Sequence, residues 1–220
     1  MISLRQPIPQ DASYYHFADT RTWFGTPNAS DVWSNLPFVV VGIVGLVWLA
    51  RRAVPQRTMW LTFFVGVFLT GFGSAYFHLN PNNDTLVWDR LPMTIAFMSF
   101  FTALLAERGN ERMAAWMFTP LLVFGVGSVV YWHYTDDLRW YGLVQFGPML
   151  VIPVLLVCRP SRYLRTSDVW IVLGWYAAAK VLERFDAGIF AMNGIVSGHT
   201  IKHFAGAAGC GWVLRALGRK

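Results

Sequence analysis

Seven apolar stretches dominate the sequence: about Val32–Ala50, Thr58–His78, Asp89–Ala106, Met113–Trp132, Leu138–Cys158, Asp168–Phe185 and His199–Leu217. An α-helix rises about 1.5 Å per residue, so about 20 residues cross the ~30 Å hydrocarbon layer of a bilayer. Inside lipid the backbone has no water to bond to, and a helix satisfies every internal N–H and C=O within itself. The expected fold class is therefore all-α, an integral membrane bundle of seven transmembrane helices. The connections are too short to fold separately. A single domain over residues 1–220 is expected, led by a polar segment over residues 1–31.

Composition agrees with a lipid environment. Hydrophobic residues make up 55% of the chain and charged residues 14%, against a soluble average near 25% charged. Eleven Trp and seventeen Phe fit a protein with interfacial indoles and lipid-facing rings. The formal charge of +6 raises the question of nucleic acid. The basic residues are scattered over short loops rather than gathered on one helix, which excludes nucleic-acid binding and leaves membrane anchoring. One set of alternate connections holds Arg51, Arg52, Arg57, Arg108, Arg112, Arg159, Arg162, Arg165, Arg215, Arg219 and Lys220. The other holds Arg5, Arg21, Arg90, Arg139 and Arg184. Eleven against five predicts an outside N-terminus and a cytoplasmic C-terminus. Cys158 and Cys210 sit in apolar stretches and read as small buried hydrophobes. The first thirty residues show no apolar core followed by a small-residue cleavage site, so the first span is expected to direct insertion itself.

Small residues should carry the helix packing, because lipid tails give helices no hydrophobic reason to associate. Gly194 with Gly198, Ala205 with Gly209, and the Gly71/Gly73 pair supply such faces. Pro120, Pro148 and Pro153 lie within spans four and five and predict kinks.

Polar residues at membrane depth are costly unless something binds them. Three clusters stand out. Ser74 and His78 close the second span, four residues apart on one helix face. Asp89 opens the third span just ahead of Pro92 and Met93. His199 and His203 open the seventh, again four apart, a spacing that lets two imidazoles converge on one ion. By parity all three clusters lie near the membrane face that holds the N-terminus. Three imidazoles with a hydroxyl and a carboxylate nearby suit a catalytic zinc site with an open position.

Plainer readings exist for single residues. Asp89 alone reads as the N-cap of the third span, with Pro92 in its first turn. Ser74 alone reads as bonded back to its own helix. His16 and His133 read as interfacial, and Lys180, Glu183, Arg184 and Asp186 as a mutual ion-pair network.

Taken together, Gly73-Ser74 with His78, Asp89 with Pro92-Met93, and His199 with His203 resemble the alkaline ceramidase family. That family lies within a wider superfamily of seven-helix membrane hydrolases that includes the progestin/adipoQ receptors. Ser34-Asn35-Leu36 also looks like that family's sequence. The resemblance implies zinc ligation by His78, His199 and His203, with Ser74 and Asp89 as catalytic-site residues. It implies hydrolysis of the amide bond of ceramide, or of a related N-acyl lipid, to a fatty acid and a sphingoid base. Relatives often bind calcium through an acidic N-terminal segment. Here that stretch offers Asp19, Asp31 and Asn28, too few oxygens for an ion that takes six or more, so the segment does not support a calcium (Ca2+) site and that site is not carried over. The expected partner is a membrane lipid that reaches the site from the bilayer, and the zinc site is expected near the outer face. The competing readings are hydrolysis of another lipid ester or amide, and a receptor in which zinc only pins helices together.

Overall fold

Pro37 shapes the first span. Proline lacks an N–H and its ring clashes with the carbonyl four residues back, so a helix cannot run through it undisturbed. The computed structural model, which describes residues 6–219, accordingly divides the first span into α1 (Ala29–Trp33) and α2 (Leu36–Ala50). Ser34 and Asn35 form the joint, both buried. Arg5 and Lys220 of the charge count lie outside the described residues.

The remaining helices are α3 (Arg57–Leu79), α4 (Asn83–Arg108), α5 (Glu111–Thr135), α6 (Arg139–Cys158), α7 (Thr166–Arg184), α8 (Asp186–Asn193) and α9 (Gly198–Leu217). Five helices among the described residues are long and apolar enough to cross a membrane: the α1–α2 pair, α3, α4, α5 and α6. The helices α7 and α9 have 19 and 20 residues but are less apolar. The first carries Asp168, Lys180, Glu183 and Arg184, and the second carries His199, Lys202, His203 and Arg215 among glycines and alanines.

Helix α4 begins six residues before the expected start, because Asn82 caps it. The Asn82 side chain accepts from the Asp84 and Thr85 N–H groups, and Thr85 Oγ1 accepts from the Asn82 N–H in return. Asp89 is therefore not an N-cap, and Pro92 lies inside the helix rather than in its first turn. Arg90 moves with it. It is a buried residue of α4, not a loop charge, and drops out of the orienting comparison.

The bundle winds α3 between α2 and α4, packs α4 on α5 and α6, and closes with α9 against α7 and α2. Close backbone approach sets these contacts. A Cβ on Gly66 would stand 2.7 Å from the Ala96 nitrogen, and one on Gly42 would stand 2.6 Å from the Phe68 Cα. Gly71, Gly73, Gly198 and Gly209 are likewise crowded. Gly194 is not a packing residue: it ends α8 at φ 61 with open space around it, a left-handed turn that glycine takes without strain. Outward faces such as Ile43, Val47, Phe72, Val123, Leu150 and Val154 remain exposed, as lipid-facing surface requires. Cys158 is exposed at the end of α6, contrary to the buried expectation, while Cys210 is half-buried.

Candidate metal centre

The three histidines arrive from two helices. His78 lies in the last turn of α3, and His199 and His203 occupy the first two turns of α9, all three buried. One ligand atom from each lies within 4.8 Å of the others. His78 Nε2 and His199 Nε2 are 3.3 Å apart. Nitrogens each about 2.0–2.1 Å from a tetrahedral zinc stand about 3.3–3.4 Å from one another, so this spacing fits a shared ion. The donor set fits as well. Three imidazoles leave a fourth position free, as catalytic sites do, whereas closed structural sites have four protein ligands.

The surrounding residues hold these rings in place. Ser34 Oγ lies 2.7 Å from His203 Nδ1, which leaves Nε2 for the cluster. The buried Asp31 carboxylate accepts from the Thr200 hydroxyl at 2.6 Å and ties α1 to the start of α9. Asp186 accepts the His199 N–H at 2.7 Å and the Ala18 N–H at 3.0 Å. The Asn28 amide donates to the His78 carbonyl at 2.9 Å. Phe17 then covers the cluster, its ring 4.6 Å from that of His78 and 4.7 Å from that of His199.

Beside the histidines, α3 and α4 touch more closely than any side chain would permit. A Cβ on Gly73 would stand 2.0 Å from the Trp88 carbonyl oxygen. This contact sets the Ser74 hydroxyl beside the Asp89 carboxylate, both buried. Ser74, Asp89 and His203 line one cavity of about 230 Å³ that runs into the bundle between Phe63, Phe100, Met149 and Val213. The site therefore joins a nitrogen-rich ion position, a carboxylate, a hydroxyl and a deep apolar chamber.

The chain matches the Ceramidase family over residues 28–179, well over half its length. It belongs to that family. No curated protein sequence matches the chain. The Ceramidase match makes the chain a member of a hydrolase family. The matched region contains Ser74, His78 and Asp89 and stops before His199 and His203. Those two histidines are brought to His78 by the fold.

The surroundings of this site both correct and extend the sequence reading. Lys180 and Lys202 both pair with Glu183, but Asp186 serves backbone N–H groups and Arg184 is exposed, so the expected four-residue network does not form. Asp19 is occupied: Arg21 Nε and Nη2 donate to its two oxygens at 2.8 Å each, and the Ser30 hydroxyl donates at 2.6 Å. Those hydrogen bonds, Arg21 first, hold the Asp19 carboxyl below its usual range. Ser34 and Phe17 are supporting residues to which sequence reasoning gave no role, and Asp186, read as part of the ion-pair network, instead holds the start of α9. A Ser-Asn pair entering an apolar span two residues before Pro37 was a usable signal for Ser34, while nothing near Phe17 in the chain points to the histidines.

Proposed function

We propose that the protein is a zinc-dependent membrane hydrolase that cleaves the amide bond of ceramide or a related N-acyl lipid. The products are a free fatty acid and an amine. The observation that carries this reading is the convergence of three buried imidazoles from α3 and α9, one of which, His203, lines an apolar cavity together with Ser74 and Asp89. Zinc held by His78, His199 and His203 would supply Lewis acidity toward the substrate carbonyl and lower the pKa of a bound water toward about 7.

The chain's own residues supply the rest. Asp89 accepts the water's proton and returns it to the departing amine nitrogen. Ser74 donates a hydrogen bond to the carbonyl oxygen as charge develops on it, a contribution of about 2.7–4 kcal/mol for such a donor. Phe17 shields the His78 and His199 rings from bulk solvent on one side, and the apolar cavity receives the acyl chain. Residues of both α6 and α7 line that cavity, and these two helices touch each other sparsely. The lipid reaches the site between them.

In the bilayer, α7 and α9 complete seven spans with α1–α2 and α3 to α6. The N-terminus lies outside, the C-terminus in the cytoplasm, and the zinc site near the outer face. The test is fatty-acid release from ceramide by purified protein before and after chelation, with zinc restored, alongside His199→Ala. Release that stops on chelation, returns with zinc and is lost with the metal in His199→Ala supports the enzyme. Tight lipid binding without release supports a receptor instead.

A further inference from the structure

Arg90 is a buried cation that the proposed chemistry does not use. It follows Asp89 in α4, is 5% exposed, and lines the same cavity. Its guanidinium carbon lies 4.1 Å from the centre of the Trp132 ring and 4.4 Å from that of Tyr141. Nη2 donates to the Gln10 side-chain oxygen at 2.5 Å, and Nη1 has no hydrogen-bond partner among the described residues. Arginine does not lose its proton in proteins, so this charge is permanent.

Two other cations away from solvent, buried Arg108 and half-buried Lys202, are matched by carboxylates. Arg108 pairs with Glu107, and Lys202 pairs with Glu183. Among the described residues Arg90 forms no ion pair, and aromatic faces only partly replace a counter-charge. A plain structural role is to latch Gln10, and through it the N-terminal segment. A neutral donor would hold that amide oxygen equally well, without the cost of a buried charge. The cavity repeats the bias. Its lining includes the cations Arg90, Lys180 and Lys202 against the carboxylates Asp89 and Glu183, an excess of one positive charge before any metal is added.

The acyl chain belongs in the apolar arm, so the amine portion of the substrate faces the polar wall that holds Arg90. We propose that Arg90 is a specificity-determining residue that binds an oxyanion, a carboxylate or a phosphate, carried on the amine portion of the N-acyl lipid. The proposal rests on the N-acyl hydrolase reading above and orders its substrates, anionic head groups ahead of neutral ones. A guanidinium with a free N–H and a planar fork suits such a group better than it suits the neutral hydroxyls of ceramide.

The test uses the full-length protein in detergent and three probes that share one acyl chain. These are N-oleoylserine, N-oleoylserinol in which CH2OH replaces the carboxylate, and N-oleoyl-phosphoethanolamine. Binding is measured with the metal chelated, and KM and kcat with zinc present. The wild type is expected to bind at least one anionic probe about tenfold more tightly than N-oleoylserinol, equivalent to about 1.4 kcal/mol. The anionic probe that binds more tightly names the oxyanion. Arg90→Gln should collapse the preference, mainly through KM, and Arg90→Lys should retain part of it, which a latch for Gln10 would not produce. Equal affinity of the wild type for all three probes overturns the proposal even where Arg90→Gln does not fold. So does an unchanged preference in Arg90→Gln. Anion-selective binding without zinc-dependent release sustains the Arg90 site and removes the hydrolase reading; release without selectivity does the reverse.

Discussion

Gly73→Ala adds one methyl group where α3 and α4 have no room for it. The new Cβ would stand 2.0 Å from the Trp88 carbonyl oxygen, and ordinary contact begins at 3.4 Å. The helices must therefore part by about 1.4 Å (3.4 − 2.0) at this point. Backbone is the obstacle, so no side-chain rotation relieves it. Overpacking of this kind costs about 1–3 kcal/mol of stability. The effect on turnover should be larger in proportion, because the parting separates Ser74 from Asp89, and a misplacement of about 1 Å costs on the order of 10²-fold in rate. None of the three histidines lies on α4, so zinc binding should survive. The assay is fatty-acid release by purified protein, with metal content measured on the same sample. Gly66→Ala is the control. It presses on the Ala96 nitrogen at 2.7 Å, between the same two helices but two turns from Ser74. It should cost similar stability and far less activity. A folded, zinc-loaded Gly73→Ala protein with the wild-type rate would refute the claim that Ser74–Asp89 spacing governs catalysis.

Three further outcomes are expected. Ser34→Ala removes the hydroxyl that orients His203, and chelator competition should show zinc affinity reduced about 10–100-fold. Asp89→Asn keeps the shape but cannot take a proton; it should lower turnover about 10²–10⁴-fold with zinc still bound, and near-normal turnover would remove Asp89 from proton transfer. Asp137 joins the N-terminal segment to the start of α6: its side chain accepts from the Ile8 N–H and from Arg139. Hydrogen bonds from Arg139 hold its carboxyl down to about 2, against about 3.9 in an unfolded chain. A lowered folded pKa stabilises above the unfolded value, and that stabilisation is lost as pH falls through the folded one. The Tm gap between wild type and Asp137→Asn should be full above about pH 5 and close between about pH 4 and pH 2; a gap that persists at the acid end contradicts this assignment.

How much of the molecule could be read from its chain depends on whether the signal is local. Helices at all seven apolar stretches follow from length and apolarity, properties of contiguous residues, and each stretch is helical in the structure. His199 and His203 were legible as a pair because a four-residue spacing on a helix is itself a geometric statement. Their meeting with His78 needed only helix parity, which carries the end of α3 and the start of α9 to one face. The start of α4 was misplaced because the polar run Asn82-Asn83-Asp84-Thr85 resembles a loop, yet its side chains cap the helix they precede. That error concealed Arg90. Counted as a loop charge it was an orienting residue, and only inside α4 does it become a buried cation on the cavity wall. Contacts such as Ser34 with His203, 169 residues apart, depend on the register between α1 and α9. That register is set by the Pro37 break and by close approach of glycines to neighbouring helices, and no periodicity within either segment encodes it. The gathering of the three histidines was thus accessible from helix geometry, whereas the contacts that surround them lie in packing between helices distant in sequence.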